Sequence, residues 1–519
     1  MEQSSGTPNK SRPLSRHERY SLVRRHIGSP SVLTYIITFG KDAQHIPSLE
    51  SLQKRMHLLV KRYPILSSRV GRSWTSKPVL ERIDLSDEAI SQRIKSKTIQ
   101  AEEGFPSSEA IFEECLSWGI SRDPDTGDLW RVGRFLNETT QDVSIVFSVD
   151  HLLGDGRGSL NLLPLLVSPD PDVTSSTSSL PPALEDRVDV RPAISTVLKA
   201  ILQALVVPKL PTWMVPAFFL PKPFWPYLSS HADTSTSFHK QVLPLEAPVG
   251  VLVAGWNADE AAQLAATFSQ RGAATSIQGM IAACCMGALW MTEKIGETAG
   301  HTDSSGFNIK TTTPTSERSK SLGHPDILGN YVGAVDSEAV INSASDLIQL
   351  AKQYNMEIKQ AKASKSPPRA FGLLDYIDDP EVTNESRSEL TGWDKFFVEK
   401  ASSKTPYGSS IEISNLGLAP PLDAELQSEV KSIDWIQTST AGGAAININV
   451  LGGQPTESGS RYGDLRFSIT WRKDSAPSGR LSDERVKEFR RVLRRLPSVI
   501  RKLEEEGSPL TLSAIRQNL

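Results

Sequence analysis

The sequence predicts a mixed α/β or α+β protein built as two domains. Three observations carry this. The chain is 519 residues long, more than one hydrophobic core usually encloses. Strand-like and helix-like periodicities alternate in both halves. A Ser/Pro-rich break near 168–182 separates those halves. Hydrophobic residues make up 38% and charged residues 23% of the chain, enough apolar mass for a sizeable core and too much for disorder over the whole length.

Residues 1–15 are polar and Pro/Ser-rich and read as a flexible N-terminal tail. Over 31–39 the run Val32, Leu33, Tyr35, Ile36, Ile37 and Phe39 reads as a first strand. Leu49, Leu52, Met56 and Leu59 recur at helical spacing within 49–66, and Pro64 should stop that helix. The clearest strand of the first half is 142–150. There Val143, Ile145, Phe147 and Val149 share one face, and His151 continues their parity. Gly154, Gly156 and Gly158 supply a turn, followed by a short helix over Leu160, Leu162, Leu163 and Leu166 that Pro164 limits. Past the Ser/Pro-rich break, 206–228 interleaves Trp213, Phe218, Phe219, Phe224, Trp225 and Tyr227 with six prolines, which forbids a continuous helix. It reads as a crossover packed on the body, with a pocket wall or a membrane-surface contact as alternatives.

In the second half a strand is predicted over 250–255 and a helix over 257–270, with Asn257 as N-cap and Asp259 and Glu260 in the first turn. The small-residue apolar run 276–291 predicts a helix buried all round. Strands follow at 330–335, 410–415, 445–450 and 465–471. In the last, Leu465, Phe467, Ile469 and Trp471 oppose Arg466, Ser468, Thr470 and Arg472, predicting a half-solvated face. An amphipathic helix is predicted over 481–496, N-capped by Ser482, with Pro497 stopping or kinking it. Its Arg490, Arg491, Arg494 and Arg495 read as an exposed face. Arg24-Arg25-His26 reads as a solvated basic patch, with a phosphate contact as the alternative. The resulting division is a tail at 1–15, a first domain at 16–167, a linker and Pro/aromatic crossover at 168–237, and a second domain at 238–519.

The formal net charge is −3, from 57 basic and 60 acidic side chains, which argues against a nucleic-acid partner. Three cysteines cannot build a disulfide framework and read as reduced thiols. The N-terminus lacks the apolar stretch of a secretory signal, and no apolar run reaches the ~18–20 residues of a membrane span. A cytoplasmic protein is expected, with peripheral contact to an intracellular membrane through 206–228 as the alternative.

One constellation carries chemistry: His151-Leu152-Leu153-Gly154-Asp155-Gly156, at the end of a buried strand and ahead of a helix. A histidine at a rigid strand tip is held in one orientation, and an imidazole with an ordinary pKa of ~6.5 accepts a proton near neutral pH. An aspartate four residues on, past a glycine turn, can brace the loop backbone or pair with an arginine. Spacing alone leaves open whether His151 is such a base or a histidine satisfied within a glycine turn. A metal site lacks a third ligand, and a serine hydrolase lacks its G-x-S-x-G elbow.

This H-x-x-x-D-G motif after a strand resembles that of the chloramphenicol-acetyltransferase-like superfamily, which includes plant BAHD acyltransferases, condensation domains of peptide synthetases and fungal alcohol O-acetyltransferases. The likeness to the last group covers most of the chain. It runs through Arg12-Pro13-Leu14-Ser15-Arg16-His17-Glu18-Arg19-Tyr20, Arg62-Tyr63-Pro64-Ile65-Leu66, Asp150 to Gly156, Leu180-Pro181-Pro182-Ala183-Leu184-Glu185, Gly329-Asn330-Tyr331-Val332-Gly333 and Ser414-Asn415-Leu416-Gly417. The resemblance implies two similar domains, each a mixed β-sheet with flanking helices, and a tunnel between them. It implies a monomeric enzyme of secondary metabolism that uses acyl-CoA, acetyl-CoA by family default, as co-substrate, with no tightly bound cofactor and no metal.

The acceptor would be a small-molecule alcohol, with an amine, or a non-catalytic ligand-binding role, as alternatives. Intact His151, Asp155 and Gly156 count against the last. His151 would be the general base, Asp155 a structural support partnered by Arg318, and Gly156 the residue permitting the turn. Ser414 or Asn415 would offer a hydrogen bond to the oxyanion, unless that strand-end turn is purely structural. The sequence also departs from the pattern. Asp150 stands where condensation domains carry a first histidine, which disfavours a peptide-synthetase role. The plant DFGWG motif is not visible, its nearest counterparts being Ser414 to Gly417 and Leu390-Thr391-Gly392-Trp393.

Overall fold

The computed structural model describes residues 10–100, 107–168, 179–202, 222–227, 248–272, 276–294, 306–318, 328–383, 389–403, 406–455, 463–473 and 481–519. Two mixed sheets with flanking helices form its two halves, as the fold class predicts. The first sheet has five strands in the order Val430–Gln437, Val32–Phe39, Val143–Asp150, Trp130–Asn137 and Ile94–Ile99. Its first four are mutually antiparallel and the last pair is parallel. The second sheet has six, in the order Val332–Ile341, Phe307–Ser316, Ser409–Leu418, Ala444–Gly452, Leu465–Arg472 and Val249–Trp256. Ser409–Leu418 runs parallel to both of its neighbours there.

The edge strand of the first sheet, Val430–Gln437, comes from late in the chain. A division at 238 assigns it to the second domain, whereas its backbone pairs it with Val32–Phe39. Its outward groups also grip the second sheet. Trp435 Nε1 donates to the Val450 carbonyl at 3.0 Å, Thr470 Oγ1 donates to the Gln437 carbonyl at 2.9 Å, and Arg466 Nε meets Asp434 at 2.8 Å. This corrects the half-solvated face expected on 465–471: Ser468 and Thr470 are buried where their hydroxyls donate to the Trp435 and Gln437 carbonyls of this strand, and Arg472 is buried with a guanidinium nitrogen donating to Ser29.

The second core is built around Ile277–Glu293, buried along nearly its whole length. Small residues let its neighbours come close, and a Cβ at Gly287 would stand 3.0 Å from Leu347 and 3.1 Å from Leu512. Cys284, Cys285 and the distant Cys115 are buried and unpaired, and burial raises the Cys284 thiol to about 12. Ala258–Gln270 is capped as expected, Asn257 and Glu260 satisfying each other's backbone N–H in a capping box. No described helix is long and apolar enough to cross a membrane.

Further expectations change. The expectation of a tail over 1–15 fails at Ser11–Pro13, a strand paired with Val79–Arg82 and anchored by a bidentate pair between buried Arg12 and Glu18; residues 1–9 lie outside the described residues. Of the 206–228 crossover, only 222–227 lies within the described residues, and there Trp225 is buried in the second core. Arg490 is not simply exposed, because it pairs with Glu109 at 3.0 Å. The helix Asp483–Glu505 runs through Pro497 instead of ending before it. Proline cannot donate to the Leu493 carbonyl four residues back, and the indole N–H of Trp256 takes that acceptor at 3.0 Å. Trp256→Phe should therefore strand a buried acceptor and cost about 1–3 kcal/mol, read as a lowered denaturant midpoint with an unchanged slope.

Candidate active site between the two sheets

Val143–Asp150 is buried at all eight positions, so its C-terminal end is fixed. Asp150 is held by Arg25 and accepts from the Leu152 N–H at 2.9 Å, while the His151 N–H donates to the Ser31 carbonyl at 3.0 Å. Arg25 extends further to the carbonyls of Gly119 and Arg122. The expected solvated patch at Arg24-Arg25-His26 is therefore overturned. These residues end a helix, Arg16–His26, that packs inward. His26 stacks on Trp74 at 3.8 Å between ring centroids and reaches Asp394 at 3.1 Å.

Asp155 closes the loop. Its Oδ1 accepts from the Gly158 N–H at 2.8 Å, capping the short helix Gly156–Leu160. Its Oδ2 accepts from the Tyr331 N–H at 2.9 Å and from Arg318 Nη2 at 2.8 Å. The carbonyl of Gly329 accepts from the Asp155 N–H and from Arg318, both at 3.0 Å. Arg318 and Asp155 are thus brought together as a buried pair spanning the two halves. Gly156 has a different reason to be glycine from the one expected. It takes an ordinary helical backbone, and a Cβ there would stand 2.6 Å from Leu416.

The same clasp sets the imidazole. Asn330, between the two residues bound to Asp155, donates its amide to the carbonyls of His151 and Leu152 at 2.8 and 3.2 Å. Its Oδ1 therefore faces His151 Nδ1 at 2.9 Å. With an acceptor opposite it, Nδ1 is assigned the ring proton, leaving the lone pair on Nε2. Among the described residues Nε2 makes no hydrogen bond, and His151 lines a cavity of about 1230 Å³. Asn330 stood in the sequence between glycines with no role assigned. Nothing local in the sequence announces its pairing with a residue 179 positions away.

Residues of both halves line the cavity. His17, Tyr20, Arg24 and Asp155 come from the first; Thr312, Glu412, Ser414 and Asn415 come from the second. The rings of His17 and His151 lie 4.5 Å apart. Burial lowers the pKa of His151, and the nearby Arg24 charge lowers it further, against the opposing pull of its own backbone, Asp155 and Asn330. His17 is pushed well below the ordinary value by burial, by His151 and by Arg24. Ser414 is buried on the cavity wall, and its hydroxyl makes no hydrogen bond among the described residues. Asn415 is engaged, its amide donating to Gln278 at 2.9 Å and its oxygen accepting from the Gly417 N–H at 2.8 Å. Thr391 caps the helix Gly392–Ala401, and Trp393 is buried beneath Arg19.

No family model matches the chain, and no curated protein matches it either. Solved structures do. The trichothecene 15-O-acetyltransferase TRI3 from Fusarium sporotrichioides aligns with a TM-score of 0.56 at 12% identity, over 95% of this chain and 97% of that one. The condensation domain of the monacolin K polyketide synthase MokA aligns with a TM-score of 0.55 at 11% identity, over 98% and 100%. Polyketide synthase associated protein 5 from Mycobacterium tuberculosis aligns with a TM-score of 0.52 at 14% identity, over 94% and 99%. The chain has the chloramphenicol-acetyltransferase-like fold that these proteins share.

The clasp predicts a stability defect. Asp155→Ala leaves the Arg318 guanidinium buried without its carboxylate, and breaking a buried pair in this way costs about 3–5 kcal/mol. Equilibrium unfolding of this variant, compared with Arg318→Met and the double variant, should show strong coupling between the two positions.

Proposed function

We propose that the chain is a CoA-dependent acyltransferase that moves an acyl group, acetyl by family default, from acyl-CoA to the hydroxyl of a small-molecule alcohol. The observation that carries this reading is the setting of His151: its Nδ1 faces Asn330 Oδ1 at 2.9 Å, which assigns the proton to Nδ1 and the lone pair to Nε2, and the residue lines a cavity bordered by both sheets. A histidine kept only for packing has no need of a fixed tautomer beside a cavity. The fold shared with an O-acetyltransferase and with condensation domains supports the reading further.

In the proposed reaction the acceptor hydroxyl attacks the thioester carbonyl while His151 Nε2 takes its proton. The carbon–oxygen bond forms and the carbonyl electrons move onto oxygen. The tetrahedral intermediate then collapses, the carbon–sulfur bond breaks, and the proton on His151 passes to the departing thiolate. No acyl-enzyme is required. Ser414 is the better-placed of the two oxyanion candidates, since Asn415 is committed to Gln278 and Gly417, and one such donor is worth about 3 kcal/mol. Asp155 acts through position, holding the segment that carries Asn330. Compartment follows the same reading: a cytoplasmic enzyme acting on dissolved or membrane-partitioned small molecules.

Purified protein incubated with acetyl-CoA and a panel of alcohols should release free thiol and form the matching esters. His151→Ala should lower that rate about 10²–10⁴-fold with its circular dichroism unchanged; release at the wild-type rate would eliminate the mechanism. The pH dependence has a defined sign. Because the His151 pKa is lowered, the neutral base persists below the ordinary value of 6.5, so the acid limb of kcat/KM should fall at a pH below 6.5. Arg24→Met removes a charge that opposes protonation and should move that limb upward.

A further inference from the structure

Two buried or half-buried charged side chains of the cavity, Arg24 and Glu412, touch no reacting atom in the proposed chemistry. Arg24 is 8% exposed. Its guanidinium lies 3.9 Å over the Tyr20 ring and donates to the Tyr20 hydroxyl at 2.5 Å. Its Nε is buried without a partner, and among the described residues no carboxylate pairs with it. Glu412, on the neighbouring strand Ser409–Leu418, lines the same cavity, and its carboxylate makes no hydrogen bond or ion pair among the described residues. Burial raises its pKa, as does Asp336, while Arg24 draws it back. Of the other charges lining it, Lys310 pairs with Asp336 at 3.0 Å, Arg157 donates to the Leu416 and Leu418 carbonyls, Arg369 faces Asp189 at 3.9 Å, and Lys400 is exposed at the rim.

Arg24 and Glu412 line one cavity with no ion pair between them among the described residues, which leaves a polar gap. Filling that gap with hydrocarbon would strip both charges of water and give them nothing in return, which is costly. A ligand carboxylate would face Glu412, and a ligand ammonium would face Arg24. The complement of the pair is a neutral group with an acceptor at one end and a donor at the other.

We propose that Arg24 and Glu412 form a recognition subsite for an amide-like group on the acceptor, its carbonyl oxygen toward Arg24 and its N–H toward Glu412, close to the hydroxyl presented to His151. This rests on the acyl-transfer reading and narrows its substrate class from alcohols in general to hydroxy-amides.

The test uses the full chain and five primary alcohols of equal length, ending in carboxamide, methyl ester, carboxylate, ammonium or methyl. Binding is followed by saturation-transfer NMR with calorimetric titration, and kcat/KM by thiol release from acetyl-CoA. The carboxamide should bind, and react, at least about ten-fold better than the methyl-terminated alcohol, as expected for hydrogen bonds to charged groups. Glu412→Leu should erase the preference for carboxamide over ester, and Arg24→Met should lower the binding of both carbonyl probes relative to that of the methyl-terminated one. Glu412→Gln keeps the shape, so a smaller loss of the same preference reads the subsite even where the leucine variant unfolds.

Equal use of the three neutral probes, a carboxylate or ammonium probe that wins, a preference surviving in Glu412→Leu, or no measurable binding of the carboxamide overturns the subsite. Carboxamide binding without thiol release from any acceptor sinks acyl transfer and leaves the subsite standing. Thiol release with no preference does the reverse.

Discussion

The carboxylate of Asp155 accepts hydrogen bonds from three places at once: the helix that follows it, the backbone of Tyr331 and the guanidinium of Arg318. Two of these donors belong to the other half of the molecule. The segment they hold carries Asn330 between its two anchored neighbours, so fixing Gly329 and Tyr331 also fixes the amide that orients His151. The geometry of the proposed base is therefore set from the second sheet, though the base itself stands at the end of a strand of the first. Charge-assisted bonds of this kind are short and directional, which suits a joint that has to hold a ring in one orientation across a gap.

Electrostatics then divide the cavity into regions of different character. Around the two imidazoles, burial and the Arg24 charge act together to keep both rings neutral. That is the state a proton acceptor needs before reaction, and it becomes harder to protonate as water leaves the site. The cost is a cation held in a largely dry place. Tyr20 lessens it by offering its ring face and hydroxyl to Arg24, an arrangement worth more when desolvated. The same charge thus depresses two histidines and reaches across to Glu412.

Much of the scaffold was legible in the sequence because it obeyed simple periodicities. The strands at 32–39, 143–150, 249–256 and 465–472, and the helices at 49–62, 258–270, 277–293 and 483–505, all stood near their expected positions. Other elements hid for physical reasons. Phe307–Ser316 alternates cleanly, but threonines fill much of its inward face and Pro314 interrupts it, so its apolar signal is weak. Val430–Gln437 carries Lys431 and Asp434, charges whose partners lie in distant segments. Arg16–His26 buries only Leu22 and Val23 as aliphatics beside His17, Glu18, Ser21 and Arg24, so its apolar stripe is weak. For the site, the H-x-x-x-D-G motif marked where to look, and a likeness in the second half pointed to Arg318. The contributions of Asn330, His17, Arg24 and Glu412 depend on chain crossings that no local pattern encodes.

The late strand Val430–Gln437 has a bearing on how the protein comes into being. During synthesis the first half emerges with the hydrogen-bonding edge of Val32–Phe39 bare, and its covering strand is made nearly 400 residues later. An uncovered, apolar strand edge is a template for association with other chains. The nascent polypeptide must either keep that edge occupied by a transient partner, such as a chaperone, or delay closing its first sheet until translation is almost over. Separating the halves into independent polypeptides would make the problem permanent, and the amino-terminal piece would be the one to aggregate.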